Sequence, residues 1–294
     1  MVRFFKVASS LFLVVIVLSS CVSTAEKGRP YYDFQAMGEE GIIVVTVDAQ
    51  KEQDLVAGAF SGLEEFARRS RRISLSLKPV SDAYPLETGN LSAFGVVDGD
   101  YPKFLINTGM MYAKEFERKS NADGLTWFAQ EEGTLSLYTP KNDKFLFTNT
   151  SYEESYAAFE AKNRLIDDQT AMQMAHASIA VYSLHPETFF DLGLGLPETV
   201  IKQAKVMLLL VNQNEAGAYT LDAFITMDTT KLASTLSQMV RSGYIARLKR
   251  EKIPYKIADL MQMFLIEDDR VTIKHMELGE EQMQALRQSL TGML

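Results

Sequence analysis

The chain has 294 residues, a formal net charge of −8 and a single cysteine, Cys21. The acidic balance excludes a protein that binds nucleic acid or anionic lipid over its whole surface, because that requires net positive potential. One thiol excludes a disulfide framework, so the body must be held by its own hydrophobic core, which its length allows.

The N-terminus falls into three zones. Arg3 and Lys6 precede an apolar stretch at residues 7–18, interrupted by Ser9 and Ser10, and Ser19, Ser20 and Cys21 follow. That is the order of a secretory signal. The apolar run is shorter than the roughly 20 residues that span a bilayer as a helix. Leu18-Ser19-Ser20-Cys21 resembles the lipobox of bacterial lipoproteins, with an aliphatic residue three before the cysteine and small residues beside it. The resemblance covers residues 1–21. It implies that residues 1–20 are a cleaved signal peptide, that Cys21 becomes the lipidated first residue, and that the protein partners a membrane through that lipid. Cleavage removes Arg3 and Lys6 and takes the net charge from −8 to −10. Val22 and Ser23 follow, without the aspartate that resembles an inner-membrane retention signal, so the expected place is the cell envelope, leaning towards an outer membrane where the host has one. Residues 21–40, with Gly28, Pro30 and Gly38, read as the lipidated cysteine and a tether.

Residues 42–47 are a β-branched run ending in Asp48, a candidate helix N-cap. Leu55, Val56, Ala59, Phe60, Leu63, Phe66 and Ala67 then share one face of a helix. Ile73, Leu75 and Leu77 alternate with Ser and Lys, and residues 91–97 complete a hairpin with a long tip. Pro102 suits the first turn of a helix expected to reach Lys119. Three short strands near 125–129, 134–138 and 144–148 and a helix from Tyr152 close this half.

The second half repeats the order. It has a strand at 179–184, a short helix after Pro186, strands at 206–211 and 219–227, and a long helix from Thr229. A hairpin of 261–266 with 271–276 and a last helix after Gly279 follow. Ile179 stands 135 residues after Val44, Asp228 stands 130 after Asp98, and Gly279 stands 128 after Ser151. This spacing predicts an internal duplication, with halves at 41–165 and 166–294. The expected class is α+β: two similar halves, each of antiparallel strands with helices packed on one face.

Chemical signatures are missing. His176, His185 and His275 form no two-histidine helix motif, and His185-Pro186-Glu187 lacks the companion P-C-x-x-C of zinc deaminases. Ser61 lies outside any G-x-S-x-G order, and Gly193-Leu194-Gly195 lacks the third glycine of a dinucleotide fingerprint. Asp98 and Asp100, like Asp268 and Asp269, suit turns on conformational grounds. No catalytic residue, metal ligand or cofactor is therefore assigned.

Two stretches could be surfaces. Phe189, Phe190, Leu192, Leu194 and Leu196, with Gly193, Gly195 and Pro197 between and after them, fit either an apolar contact loop or a helix end tucked beneath the sheet. Arg68, Arg69, Arg71 and Arg72 form a basic cluster at a helix end, where positive charge suits the helix dipole and could also meet an acidic partner or headgroups. Methionines crowd the second half, as at Met207, Met227 and Met276. The leading expectation is a lipid-anchored, non-enzymatic module that recognises an envelope protein through a groove between the halves. The alternatives are a carrier or sensor of an apolar small molecule and an envelope hydrolase with dispersed catalytic residues.

Overall fold

The computed structural model describes residues 31–37, 42–60, 64–80, 91–130, 135–184, 198–214 and 217–291. A 3-10 turn, Asp33–Ala36, precedes β1 (Ile43–Asp48), formed by the β-branched run. The short helices α1 (Gln53–Ala59) and α2 (Glu64–Arg69) lead into the long pair β2 (Ser70–Pro79) and β3 (Leu91–Gly99). Next come α3 (Lys103–Tyr112), then β4 (Phe116–Ser120), β5 (Thr126–Gln130), β6 (Ser136–Lys141) and β7 (Lys144–Thr148). Helices α4 (Tyr152–Glu160) and α5 (Asp168–His176) join this half to β8 (Ile179–Ser183). After α6 (Glu198–Ile201) stand β9 (Ala204–Gln213) and β10 (Tyr219–Met227), the 21-residue α7 (Thr230–Arg250), and α8 (Ile257–Met263). The chain closes with β11 (Phe264–Glu267), β12 (Arg270–Glu277) and α9 (Glu280–Thr291).

The twelve strands among the described residues form one antiparallel sheet in the order β11-β12-β10-β9-β8-β1-β2-β3-β7-β6-β5-β4. Counted outward from the centre, β1-β2-β3-β7-β6 mirrors β8-β9-β10-β12-β11. Strands β2 and β9 both have ten residues, and β3 and β10 both have nine. The class is α+β with two similar halves of antiparallel strands. The halves meet through the β1–β8 ladder, in which Val45 faces Val181 at the middle of the register. At the place where a groove between halves was expected, the backbones are hydrogen-bonded into a continuous sheet.

Strand alternation gives the sheet two different faces. Val45, Val47, Leu75, Val97, Val181, Leu209 and Ile225 point to the main core, which α1, α7 and α9 cover with Leu55, Leu236 and Leu286. The opposite face is more polar at its centre. There the Thr46 and Ser74 hydroxyls are 3.1 Å apart, and Ser76 Oγ donates to the Met37 carbonyl at 2.8 Å. Gln35, fully buried, donates through Nε2 to the Ile166 carbonyl and to Asp168 Oδ1, both at 3.1 Å. Residues 32–37, read from sequence as tether, are thus part of the folded body. Phe34 packs with almost no exposure, and Asp33 pairs with Lys144.

Local differences from the sequence reading have local causes. The single helix expected across 55–67 is two: Phe60 caps α1 and Glu64 opens α2. Asp48 does not cap it; its Oδ1 accepts from the Gln50 and Lys51 amides, and Glu52 holds the N-cap position. The helix from Lys103 stops at Tyr112, and residues 116–120 pair with β5 as an edge strand whose Glu117, Arg118 and Lys119 discourage further pairing. Met261 belongs to α8, so the last hairpin starts only at Phe264. Helix α5 went unread although Asp167 caps it, accepting from the Gln169 and Thr170 amides.

Candidate functional site

The likeness of the two halves supplies an internal control for how each half covers its face of the core. In the second half α7 lays Ala233, Leu236, Val240, Tyr244 and Leu248 onto the sheet. Its counterpart α3 has ten residues and buries none of them fully, and Phe104 and Tyr112 are 77% and 82% exposed. A shorter helix seals less sheet. What remains beneath α3 is a cavity of about 800 Å³ between α2, α3 and strands β3, β6 and β7.

The cavity wall is aromatic and aliphatic. Phe66 of α2 sits with its ring centroid 5.1 Å from Phe60, 5.1 Å from Tyr101 and 4.9 Å from Phe145. Ile106 and Met110 of α3 close the top, and Leu137 and Phe147 line the strand side. Small residues on β3 make the floor low. Ala93 lines it, and at Gly95 an added Cβ would lie 2.2 Å from Phe147 Cζ, so that ring lies flat across the glycine. Asn107 fastens α3 to β6 by donating to the Thr139 carbonyl at 3.0 Å and accepting from its amide at 3.3 Å.

Polar groups here are few and already engaged. Tyr101 is fully buried, and burial pushes its hydroxyl up to about 12, so it stays protonated. Its Oη lies 2.7 Å from Ser70 Oγ, which itself donates to the Phe66 carbonyl at 2.9 Å. At the rim Arg69 Nε donates to Glu65 Oε1 at 2.6 Å, and Arg68 and Arg69 together hold that carboxyl below the usual range. A volume within the roughly 300–1,000 Å³ of ligand pockets, with apolar walls and a short polar rim, suits retention of an apolar molecule. A second cleft of about 800 Å³ between α7 and the start of α9 is rimmed by Arg250, Glu251, Glu280 and Glu281. Its inner arginine is committed, with Arg247 donating to Gln282 Oε1 at 2.6 Å and to the Glu277 carbonyl at 2.7 Å.

No family model matches the chain, and no curated protein matches its sequence. Its fold is similar to that of TP0453. Against crystal form I of that protein the TM-score is 0.61 at 10% identity, covering 89% of this chain and 98% of the other. Crystal forms III and IV give 0.59 and 0.57, also at 10% identity, over 88% and 89% of this chain and 99% and 97% of theirs. A likeness at this identity concerns the fold alone.

Of the residues singled out from sequence, Cys21, Phe189, Phe190, Leu192, Leu194 and Leu196 lie outside the described residues. The four arginines separate. Arg68 and Arg69 stand on α2 and both pair with Glu65, with Arg69 at the cavity rim, while strand alternation sends Arg71 and Arg72 to opposite sides of β2. Arg71 is exposed. Arg72 donates to the Ala175 carbonyl at 2.7 Å and lies 3.5 Å from the Asp48 carboxylate on the far face. Met207, Met227 and Met276 are core residues of the second half, and Met110 is the methionine at the cavity. His275 adopts φ 53° at an irregularity of β12, with Nδ1 3.4 Å from Asp222 Oδ1. Among the described residues no group of three or more His, Cys, Asp or Glu side chains could hold a metal, and no helix is long and apolar enough to cross a membrane. The cavity residues themselves went unassigned. The signal for them in sequence was Ala93 and Gly95 on one strand face; the shortness of the neighbouring helix emerged only in the structure.

Proposed function

We propose that this is a lipid-anchored protein of a bacterial envelope that holds an apolar small molecule in the cavity beneath α3. The observation that carries the reading is the contrast between halves: one long helix seals its sheet, and one short helix leaves about 800 Å³ open and aromatic-lined. Exposed Phe104 and Tyr112 on the covering helix give an approaching apolar donor or acceptor a surface beside the cavity. A ligand that removed on the order of 300 Å² of apolar surface from water would gain roughly 7 kcal/mol before the cost of association. The lipobox-like Leu18-Ser19-Ser20-Cys21 supports the anchor.

Native mass spectrometry of membrane-extracted protein, with titration of the apolar dye N-phenyl-1-naphthylamine, tests both parts. Expected are an acylated Cys21, a retained apolar mass and saturable dye binding that Ile106→Trp weakens by taking up part of the cavity. Cys21→Ala should lose the acyl mass and keep the dye. An unmodified N-terminus overturns the anchor. Dye binding that is absent, or unchanged by Ile106→Trp, overturns the cavity.

A further inference from the structure

Helix α1 begins at a residue that normally caps poorly. Glu52 occupies its N-cap without a side-chain hydrogen bond to the helix, where Ser, Thr, Asp or Asn would be expected. Its carboxylate turns instead into the second half. Tyr219 Oη donates to Glu52 Oε2 at 3.3 Å, and Arg287 Nη2 lies 3.4 Å from the same oxygen and donates to Tyr219 Oη at 2.8 Å. The Arg287 guanidinium also stacks over the Tyr219 ring at 5.2 Å. The Glu52 side chain is almost fully buried, and its Oε1 has no hydrogen-bond partner. Burial raises the Glu52 pKa, and the Arg287 charge opposes that rise.

These three groups come from α1's cap, the start of β10 and the last helix, α9, 167 and 235 residues apart from Glu52. Helix α9 packs against α1, and α1 packs against α2. Phe60, which ends α1, and Phe66, on α2, are the aromatic side of the cavity. A buried carboxylate at the root of α1 therefore ties the cavity wall of one half to the terminal helix of the other.

We propose that Glu52, Tyr219 and Arg287 form a clamp between the halves that positions the α1–α2 wall and so sets how tightly the cavity holds its apolar ligand. The inference rests on the cavity reading above. Glu52 and Arg287 are positioning residues, since neither lines the cavity. The clamp acts through geometry because a half-satisfied buried carboxylate has one place where its charge is matched, and moving α1 away from α9 would strand it.

The test measures N-phenyl-1-naphthylamine affinity and urea stability on the membrane-extracted full chain. Arg287→Met should weaken the dye about tenfold, within the roughly 5–150-fold range of coupling between sites. Tyr219→Phe, which removes one hydroxyl, should weaken it about threefold and covers the case in which Arg287→Met does not fold. Adding Glu52→Gln to Arg287→Met removes the stranded charge and should recover stability while the dye stays weakened, because the tie between α1 and α9 is still broken. Arg247→Met unfastens the other end of α9 and should lower stability while leaving dye affinity unchanged. Equal affinity losses from Arg247→Met and Arg287→Met, or a stability loss in Arg287→Met with unaltered affinity, overturn the clamp. If Ile106→Trp leaves the dye affinity unchanged, the cavity reading fails first and the clamp falls with it.

Discussion

Lys144→Met tests how the N-terminal segment is locked to the far face of the sheet. Lys144 Nζ is hydrogen-bonded to both Asp33 and Asp98, so one ammonium joins the 3-10 turn to β3. Removing one partner of a buried ionic group costs about 3–5 kcal/mol. Here the Lys144 and Asp98 side chains keep 20% and 27% exposure, so water screens part of the loss and about 2–3 kcal/mol is expected near pH 7.5. The pH dependence has a definite sign. Burial raises Asp33 above its ordinary value of 3.8, the Lys144 hydrogen bond opposes this, and the Asp98 charge adds to it. A carboxylate raised in the folded state favours folding while protonated, and that contribution is lost as pH climbs through the folded value. Without Lys144 the folded value rises further, so the variant suffers most at neutral pH, and its deficit should shrink to about 1 kcal/mol near pH 4. Lys144 itself is opposed by burial but held above its ordinary value by the two carboxylates, so its own contribution is lost only in alkali. Urea unfolding of both proteins at the two pH values measures this, with the slopes checked for equality. A deficit equal at both, or larger in acid, would refute the reasoning.

Gly95→Ala places a Cβ against three Phe147 ring atoms at 2.2–2.7 Å, and overpacking of this kind costs about 1–3 kcal/mol. The displaced ring should also reduce dye binding; calorimetry and titration would show both effects, and neither appearing would mean that Phe147 does not pack there. Asp167→Ala removes the cap of α5 and should cost about 1 kcal/mol at neutral pH. The Thr170 hydroxyl, at 2.6 Å, and the amides of Thr170 and Gln169 lower the Asp167 pKa, so its contribution is present above 3.8 and lost as pH falls through the folded value. The stability difference from wild type should therefore vanish in acid, which urea titrations across pH would follow.

Sequence patterns reported elements well where they were strongly periodic and poorly where a short segment suited two structures. Ile73, Leu75 and Leu77 alternate, and they form β2; Leu232, Leu236 and Val240 recur at helical spacing, and they form α7. Residues 116–120 and Met261 sit in short stretches whose conformation is decided by a neighbour, β5 in one case and the sheet beneath α8 in the other. The tether ended earlier than composition suggested, because Phe34 and Gln35 find partners only on the assembled far face of the sheet.

The cavity was less legible than the fold. Ala93, Phe66, Ile106 and Phe147 are unremarkable singly, and their meaning comes from facing one another across α2, α3, β3 and β7. The matched spacing of the halves gave no warning, because the helix after Pro102 reads as reaching Lys119 and only the structure ends it at Tyr112.

By itself the sequence determined the strongly periodic strands and helices, the antiparallel α+β class with two similar halves and the lipobox-like N-terminus, because each is written in residues close together along the chain. Only the tertiary structure decided that β1 pairs with β8 to make one sheet, that α3 leaves a cavity, and that Glu52 meets Arg287 across 235 residues. Those features depend on which surfaces meet once the sheet has formed, and spacing along the chain carries no record of that meeting.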